Sequence, residues 1–135
     1  MTSEANRSDE IEYIGVPGAL PPPGHYSPGV RHGGLVYVSG QLPVAAGGVH
    51  TFDAPFKEQA RQVIENLLGV LAAAGSTAAD LLKVTVYVVG VENWSGFNAI
   101  YAERLGAAKP ARAIVPVPEL HHGYLVEIDA IARSQ

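Results

Sequence analysis

Arg112 and Glu127 are the residues whose types and placement could most readily do chemistry in this chain. Both lie in the stretch Lys109–Ala132, KPARAIVPVPELHHGYLVEIDAIA, whose period-two alternation predicts two strands joined by a turn at Leu120–Gly123. On the first arm Ala113, Val115 and Val117 share one face, and Arg112, Ile114, Pro116 and Pro118 share the other. On the second, Val126, Ile128, Ala130 and Ala132 form an apolar face opposite Leu125, Glu127, Asp129 and Ile131. Arg112 and Glu127 are thereby expected to point away from the apolar faces while sitting on buried strands, where unpaired charge is costly. Either the two pair within a structural network, or Arg112 seeks the carboxylate of a small molecule. Pro116 and Pro118 bear on the choice. Their missing N–H groups fall along one strand edge, which suits a subunit contact or a cleft better than a sheet interior.

Other chemistries find less support. With no cysteine the chain has no thiolate nucleophile, no disulfide and no Cys-ligated zinc. His121 and His122 are adjacent, and in an extended segment they face opposite sides, so a shared metal ion is disfavoured and a solvated or pocket-rim role preferred. Gly33-Gly34 and Gly47-Gly48 read as turn glycines, since no P-loop pattern follows either. Net charge is −4 and no run of Lys or Arg occurs, so the basic footprint of nucleic-acid binding is missing. The polar start MTSEANRSDE has no signal-peptide character, and no apolar run reaches the ~18 residues of a membrane span. These features predict a cytoplasmic protein that binds neither nucleic acid nor membrane.

The elements that must position Arg112 and Glu127 follow from the rest of the 135 residues, which suit one domain. Residues 1–9 read as a disordered tail and residues 10–135 as a single domain. Glu10–Ile14 is expected as a first strand, and the proline-rich Gly15–Pro28 as a fixed loop. Leu35–Ser39 follows as a buried strand, then a hairpin through Gln41–Val49. Asp53–Ala74 is the clearest helix, with Asp53 as N-cap, an apolar stripe from Phe56 to Leu71, and Gly75 ending it. Leu82–Val91 is a β-prone central strand and Ser95–Leu105 a second helix. The order β-β-β-α-β-α-β-β predicts an α+β fold: a mixed sheet with both helices packed on one face. The other face, expected to carry Arg112, Ile114, Glu127, Tyr37 and Ser39, is too apolar for water and too polar for a dry core. Such a face predicts a sheet turned toward other subunits.

The chain resembles the Rid (reactive intermediate deaminase, formerly YjgF) superfamily from Gly24 onward. The matching pieces are HYSPGV around Tyr26, VYVSGQLP at 36–43, EQARQVIENL at 58–67 and AAAGS at 72–76. KVTVYV at 83–88, FNAIYAE at 97–103, KPAR at 109–112 and VEIDAIA at 126–132 complete the series, in matching order and spacing. The resemblance implies a chorismate-mutase-like fold and a homotrimer with sheets facing inward and sites at the subunit interfaces. It also implies hydrolysis of enamines and imines, such as 2-aminoacrylate, to 2-keto acids and ammonia without cofactor or metal. By the same resemblance Arg112 binds the substrate carboxylate and Glu127 holds or activates water. Tyr26 and Ser39 line the pocket, and Asn98 belongs to an N-x-x-Y pattern. Hydrolysis of an activated C=N bond needs only positioning and one group to manage protons. This chain departs from the family pattern after Arg112, where Ala113 and Ile114 follow, and at Leu120-His121, where Leu-Pro is usual. Ile114 is therefore expected to narrow the pocket. Two rival functions are a non-catalytic trimer that uses Arg112 to bind carboxylates, and a ribonuclease or translation inhibitor, against which the acidic charge counts.

Overall fold

The computed structural model of the chain describes residues 10–135, so the expected tail over residues 1–9 lies outside the described residues. The elements run β1 (Glu12–Ile14), β2 (Gly29–His32), β3 (Leu35–Gln41), α1 (Phe56–Ala73), β4 (Leu81–Val89), α2 (Trp94–Leu105), β5 (Ala111–Val117) and β6 (Val126–Arg133). One mixed sheet holds the strands in the order β1-β2-β3-β6-β4-β5. Every neighbouring pair is antiparallel except β4 and β5, which α2 connects as a parallel crossover. The fold is thus the expected α+β arrangement.

The hairpin in the first half lies earlier than expected. Gly33 and Gly34, at φ +59° and +81°, form a two-residue turn between β2 and β3, with His32 paired to Leu35. Two consecutive positive φ values match the twist of the flanking strands, and glycine takes them without strain. The segment expected as a hairpin, Gln41–Val49, instead makes a short 3₁₀ turn at Ala46–Gly48, closed by a single bridge between Ala45 and Val49.

Helix α1 starts at Phe56, and Asp53 does not cap it. Pro55 biases Ala54 away from helical backbone, and Pro55 itself is extended at ψ 153°. Asp53 sits in a turn closed by the Ala54 N–H on the Thr51 carbonyl at 2.9 Å. Fully buried Gln59 binds this turn through its amide, at 3.2 Å to the Phe52 carbonyl and 3.0 Å to that of Ala54. The helix ends as expected at Gly75, φ +80°. There the N–H groups of Gly75 and Ser76 bond the carbonyls of Ala72 and Leu71.

Both helices cover one face of the sheet. Val36 and Val38 of β3, Val84, Val86 and Val88 of β4, and Val126, Ile128, Ala130 and Ala132 of β6 meet Val63, Ile64, Leu67 and Leu71 of α1 and Phe97 of α2. The opposite face carries Tyr37, Ser39, Thr85, Tyr87, Val115, Glu127, Asp129 and Ile131, of which Tyr37 and Val115 are exposed.

Strand β5 presents the reverse of its expected faces. Arg112 and Ile114 pair with Val84 and Val86, residues of the helix-covered face, and Ile114 packs against the core. Ala113 and Val115 therefore share the open face with Thr85 and Tyr87. The two arms read as joined by a turn are also not neighbours, because β4 lies between β5 and β6. Among the described residues β5 ends the sheet, so Pro116 lies on an edge strand.

Candidate active site

Six residues converge around one concavity of about 390 Å³: Tyr26, Ser39, Gly40, Leu42, His121 and Glu127. Each is placed by a local device. Between Val38 and Gln41, β3 advances three residues while β6 advances two, from Ala130 to Ile128, so a bulge falls at Ser39–Gly40. It lays Gly40 against the Glu127 carboxylate so closely that a Cβ there would overlap Oε2. Ser39 donates its hydroxyl to the Ser27 carbonyl at 2.6 Å, and its N–H bonds the Pro28 carbonyl at 2.9 Å. These bonds tie the Tyr26 loop to β3. Asn66 of α1 donates to the carbonyls of Leu42 and Val44, fixing the loop after β3. The Leu125 N–H donates to Gln59 Oε1 at 2.9 Å, which anchors the chain two residues before Glu127.

Glu127 is half-buried, and its pKa is raised above the ordinary carboxylate value. Burial is the main cause and the like charge of Asp129 adds to it, while His121 opposes both. Asp129 accepts a hydrogen bond from the Tyr87 hydroxyl at 3.0 Å. A carboxylate held toward its protonated form beside a polar concavity is suited to accepting and returning a proton.

Arg112 and Asn98 lie at a second concavity, of about 350 Å³, with Tyr101, Lys109 and Pro110 among its walls. Arg112 Nη1 donates to Asn98 Oδ1 at 2.9 Å, and the guanidinium carbon sits 4.9 Å from the centre of the Tyr101 ring. The Asn98 bond takes one of five N–H donors and holds the plane of the fork. Tyr101 is 7% exposed, and its hydroxyl finds no hydrogen-bond partner among the described residues. Burial raises its pKa, opposed by the charge of Arg112.

Arg112 and Glu127 therefore do not meet within one chain. Arg112 pairs with Val84 and Glu127 with Tyr87, and residues three apart on β4 point to opposite faces. The structural Arg112–Glu127 pair allowed by the sequence does not exist in the chain. Ile114 lines neither concavity. Gly40 and Tyr101 emerge as site residues beyond those expected; each stands in a motif already quoted, VYVSGQLP and FNAIYAE.

His121 and His122 differ from expectation in conformation. They lie on a 3₁₀ turn, His121–Gly123, with His122 at φ +60°, and their ring centres are 4.1 Å apart rather than on opposite sides of an extended chain. Among the described residues no group of three or more His, Asp or Glu side chains gathers at metal-binding spacing. No helix among them is long and apolar enough to cross a membrane.

The sequence model of the family described as Endoribonuclease L-PSP matches residues 17–134. A RutC family protein of Pyrococcus horikoshii is 38% identical over 124 residues, covering 92% of this chain and 98% of its own length. The YyfA protein of Yersinia pestis, described as belonging to the conserved Rid protein family, superposes with a TM-score of 0.85 at 34% identity, covering 92% of this chain and 99% of that one. The chain belongs to the Rid superfamily. Among solved Rid-like folds, Escherichia coli TdcF with bound serine superposes at a TM-score of 0.83 and 31% identity, covering 92% of this chain and 99% of TdcF. In this Rid protein HYSPGV, VYVSGQLP and VEIDAIA contribute to one concavity and FNAIYAE and KPAR to another on the opposite side of the sheet.

Proposed function

We propose that this Rid protein hydrolyses 2-imino and 2-enamino acids to 2-keto acids and ammonia, at sites completed between subunits of a homotrimer. The observation that carries the reading is the separation itself. One concavity offers a carboxylate-binding fork in Arg112, the other a proton acceptor in Glu127, and neither is a full site alone. Seating the β5 edge of one subunit, which carries Arg112, on the open sheet face of the next would set the Glu127 concavity of one against the Arg112 concavity of the other and cover exposed Tyr37 and Val115. The serine in the TdcF structure supports an α-amino-acid-like ligand, since it carries both the carboxylate and the adjacent nitrogen of such a substrate.

The chemistry is addition followed by elimination. Arg112 clasps the carboxylate, fixing C2 of the imine. Glu127 takes a proton from water as the water oxygen bonds to C2 and the imine nitrogen gains a proton, giving a carbinolamine. Glu127 then returns its proton to the nitrogen, the C–N bond breaks as the hydroxyl loses its proton and becomes the keto oxygen, and ammonia leaves. The protein groups end as they began.

The site formed between subunits has a direct test. Arg112→Ala and Glu127→Gln are each expected to be nearly inactive as pure proteins. Co-expressed in equal amounts, they rebuild a whole site wherever the intact Glu127 of one variant faces the intact Arg112 of the other, at about one interface in four. Activity near a quarter of wild type, read as ammonia released from imines made in situ, is the expected result, and none above the single variants overturns it. A carboxylate-binding protein without catalysis is the second reading, favoured by the bound serine of TdcF. It predicts ligand binding with no ammonia from any imine.

A further inference from the structure

Adding water to a C=N bond moves two protons in opposite directions: one leaves the water and one must reach the nitrogen. Glu127 can take the first. His121 shares the Glu127 concavity, and its charge acts on the Glu127 carboxyl. It ends a row of three imidazoles, stacking on His122 at 4.1 Å, which in turn lies 4.7 Å from His50. The middle ring, His122, is a poor site for a proton. Desolvation, then the charges of His121 and His50, lowers the pKa of His122. His50 Nδ1 lies 2.7 Å from the hydroxyl of Tyr124, which already accepts the Thr51 N–H at 3.1 Å. Tyr124 is 1% exposed, so its hydroxyl holds the His50 ring in place at the far end of the row. At the pocket end of the row, His121 is the imidazole that shares the concavity with Glu127.

We propose that His121 is the acid partner of Glu127 in imine hydrolysis, a role that rests on the deaminase reading above. In the addition step the His121 imidazolium protonates the imine nitrogen while Glu127 takes a proton from the attacking water. In the collapse the roles reverse. The Glu127 carboxyl protonates the amine nitrogen, His121 removes the carbinolamine hydroxyl proton, and the C–N bond breaks. Neutral ammonia leaves, and both groups recover their starting charge. The groups facing His121 are Glu127 of β6 and Tyr26 of its loop across the concavity, His122 in its own turn, and His50 beyond it. Asp129 acts on Glu127 from the same face of β6.

The test is the pH profile of kcat, with ammonia release from imines made in situ as the readout. Wild type is expected to give a bell, whose alkaline limb reports loss of the His121 proton. His121→Ala and His121→Gln should lose that limb and about 10²-fold in kcat. His121 is exposed, so both variants are expected to fold and bind carboxylates as wild type does. Free imidazole should restore about tenfold of the rate to His121→Ala and none to His121→Gln, in which the side chain still fills the space. Wild-type activity with an unchanged limb in both variants and no response to imidazole overturns the role of His121 and leaves the deaminase reading standing. No ammonia from wild type with any imine overturns both.

Discussion

The two faces of the sheet solve different problems. The covered face is dry: Val36, Val84, Val86 and Ile128 are fully buried, and Arg112 sits at its margin against Asn98 and Tyr101 of α2. The open face mixes exposed Tyr37 and Val115 with the acidic pair Glu127 and Asp129. Burial there is partial, enough to push Glu127 toward its neutral form even though His121 of its own chain acts against the shift. The lesson is that cation and carboxylate are kept apart in the single chain. A paired Arg112 and Glu127 would satisfy each other and leave little for a ligand.

The sharpest way to break this division of labour is Glu127→Gln, which keeps the shape of the side chain and removes the proton acceptor. A loss of about 10²–10⁴ in turnover is expected, with carboxylate affinity retained, as read by titration with a substrate-like keto acid. Unchanged turnover would reduce Glu127 to a packing residue. Next in size is Arg112→Lys, which loses the planar fork and is expected to cost about 30- to 1,000-fold in kcat/KM, or about 2–4 kcal/mol. Its melting temperature should stay near wild type, because in the chain the guanidinium answers to Asn98 and an aromatic ring rather than to a buried carboxylate. A large drop in melting without a catalytic loss would make Arg112 structural.

Gly40→Ala probes how closely β3 and Glu127 approach. The added Cβ forces the carboxylate to move, at a cost of about 1–3 kcal/mol in stability measured by denaturant titration. The smallest effect is on pH dependence. Because folding raises the Glu127 pKa, the folded chain holds that proton to higher pH than the unfolded chain does. Its stability is therefore fullest below the unfolded value and falls as pH rises through the folded one. Glu127→Gln removes this slope, so it should melt above wild type at neutral pH, and the gap should close as pH falls toward about 4.

The elements with strong periodicity were legible in the sequence. The α1 stripe of Ala60, Val63, Ile64, Leu67 and Leu71 and the alternation of Val84, Val86 and Val88 are seen in the fold as read. Strand β2 escaped notice because its four residues, Gly29 to His32, hold one aliphatic side chain. The Gly33-Gly34 pair that marks it reads as turn glycines, but the sequence before them gives no sign of the strand that the turn serves. The faces of β5 were ambiguous because an edge strand carries apolar residues on both sides. Its register against β4, a tertiary fact, decides that Ile114 goes inward. Tyr26, Ser39 and Glu127 were expected together and are together, whereas Arg112 lies across the sheet from them, which no pattern within the strand could reveal. The stacking of His121 on His122 depends on a left-handed non-glycine residue, a conformation that side-chain type alone seldom indicates.

Strand β6 comes last of the six in sequence and lies in the middle of the sheet, with Tyr37 of β3 paired to its Ile131 and Val86 of β4 to its Ile128. A chain emerging from the ribosome thus makes two partial sheets, β1-β2-β3 and β4-β5, before it makes the strand that joins them. Until then both partial sheets present open backbone edges, the kind of surface that recruits other chains. Joining them also requires contacts between residues far apart in the chain, which slows folding. Because Glu127 rides on that joining strand, its carboxylate comes to rest against Gly40 and the Tyr26 loop only when β6 closes the sheet.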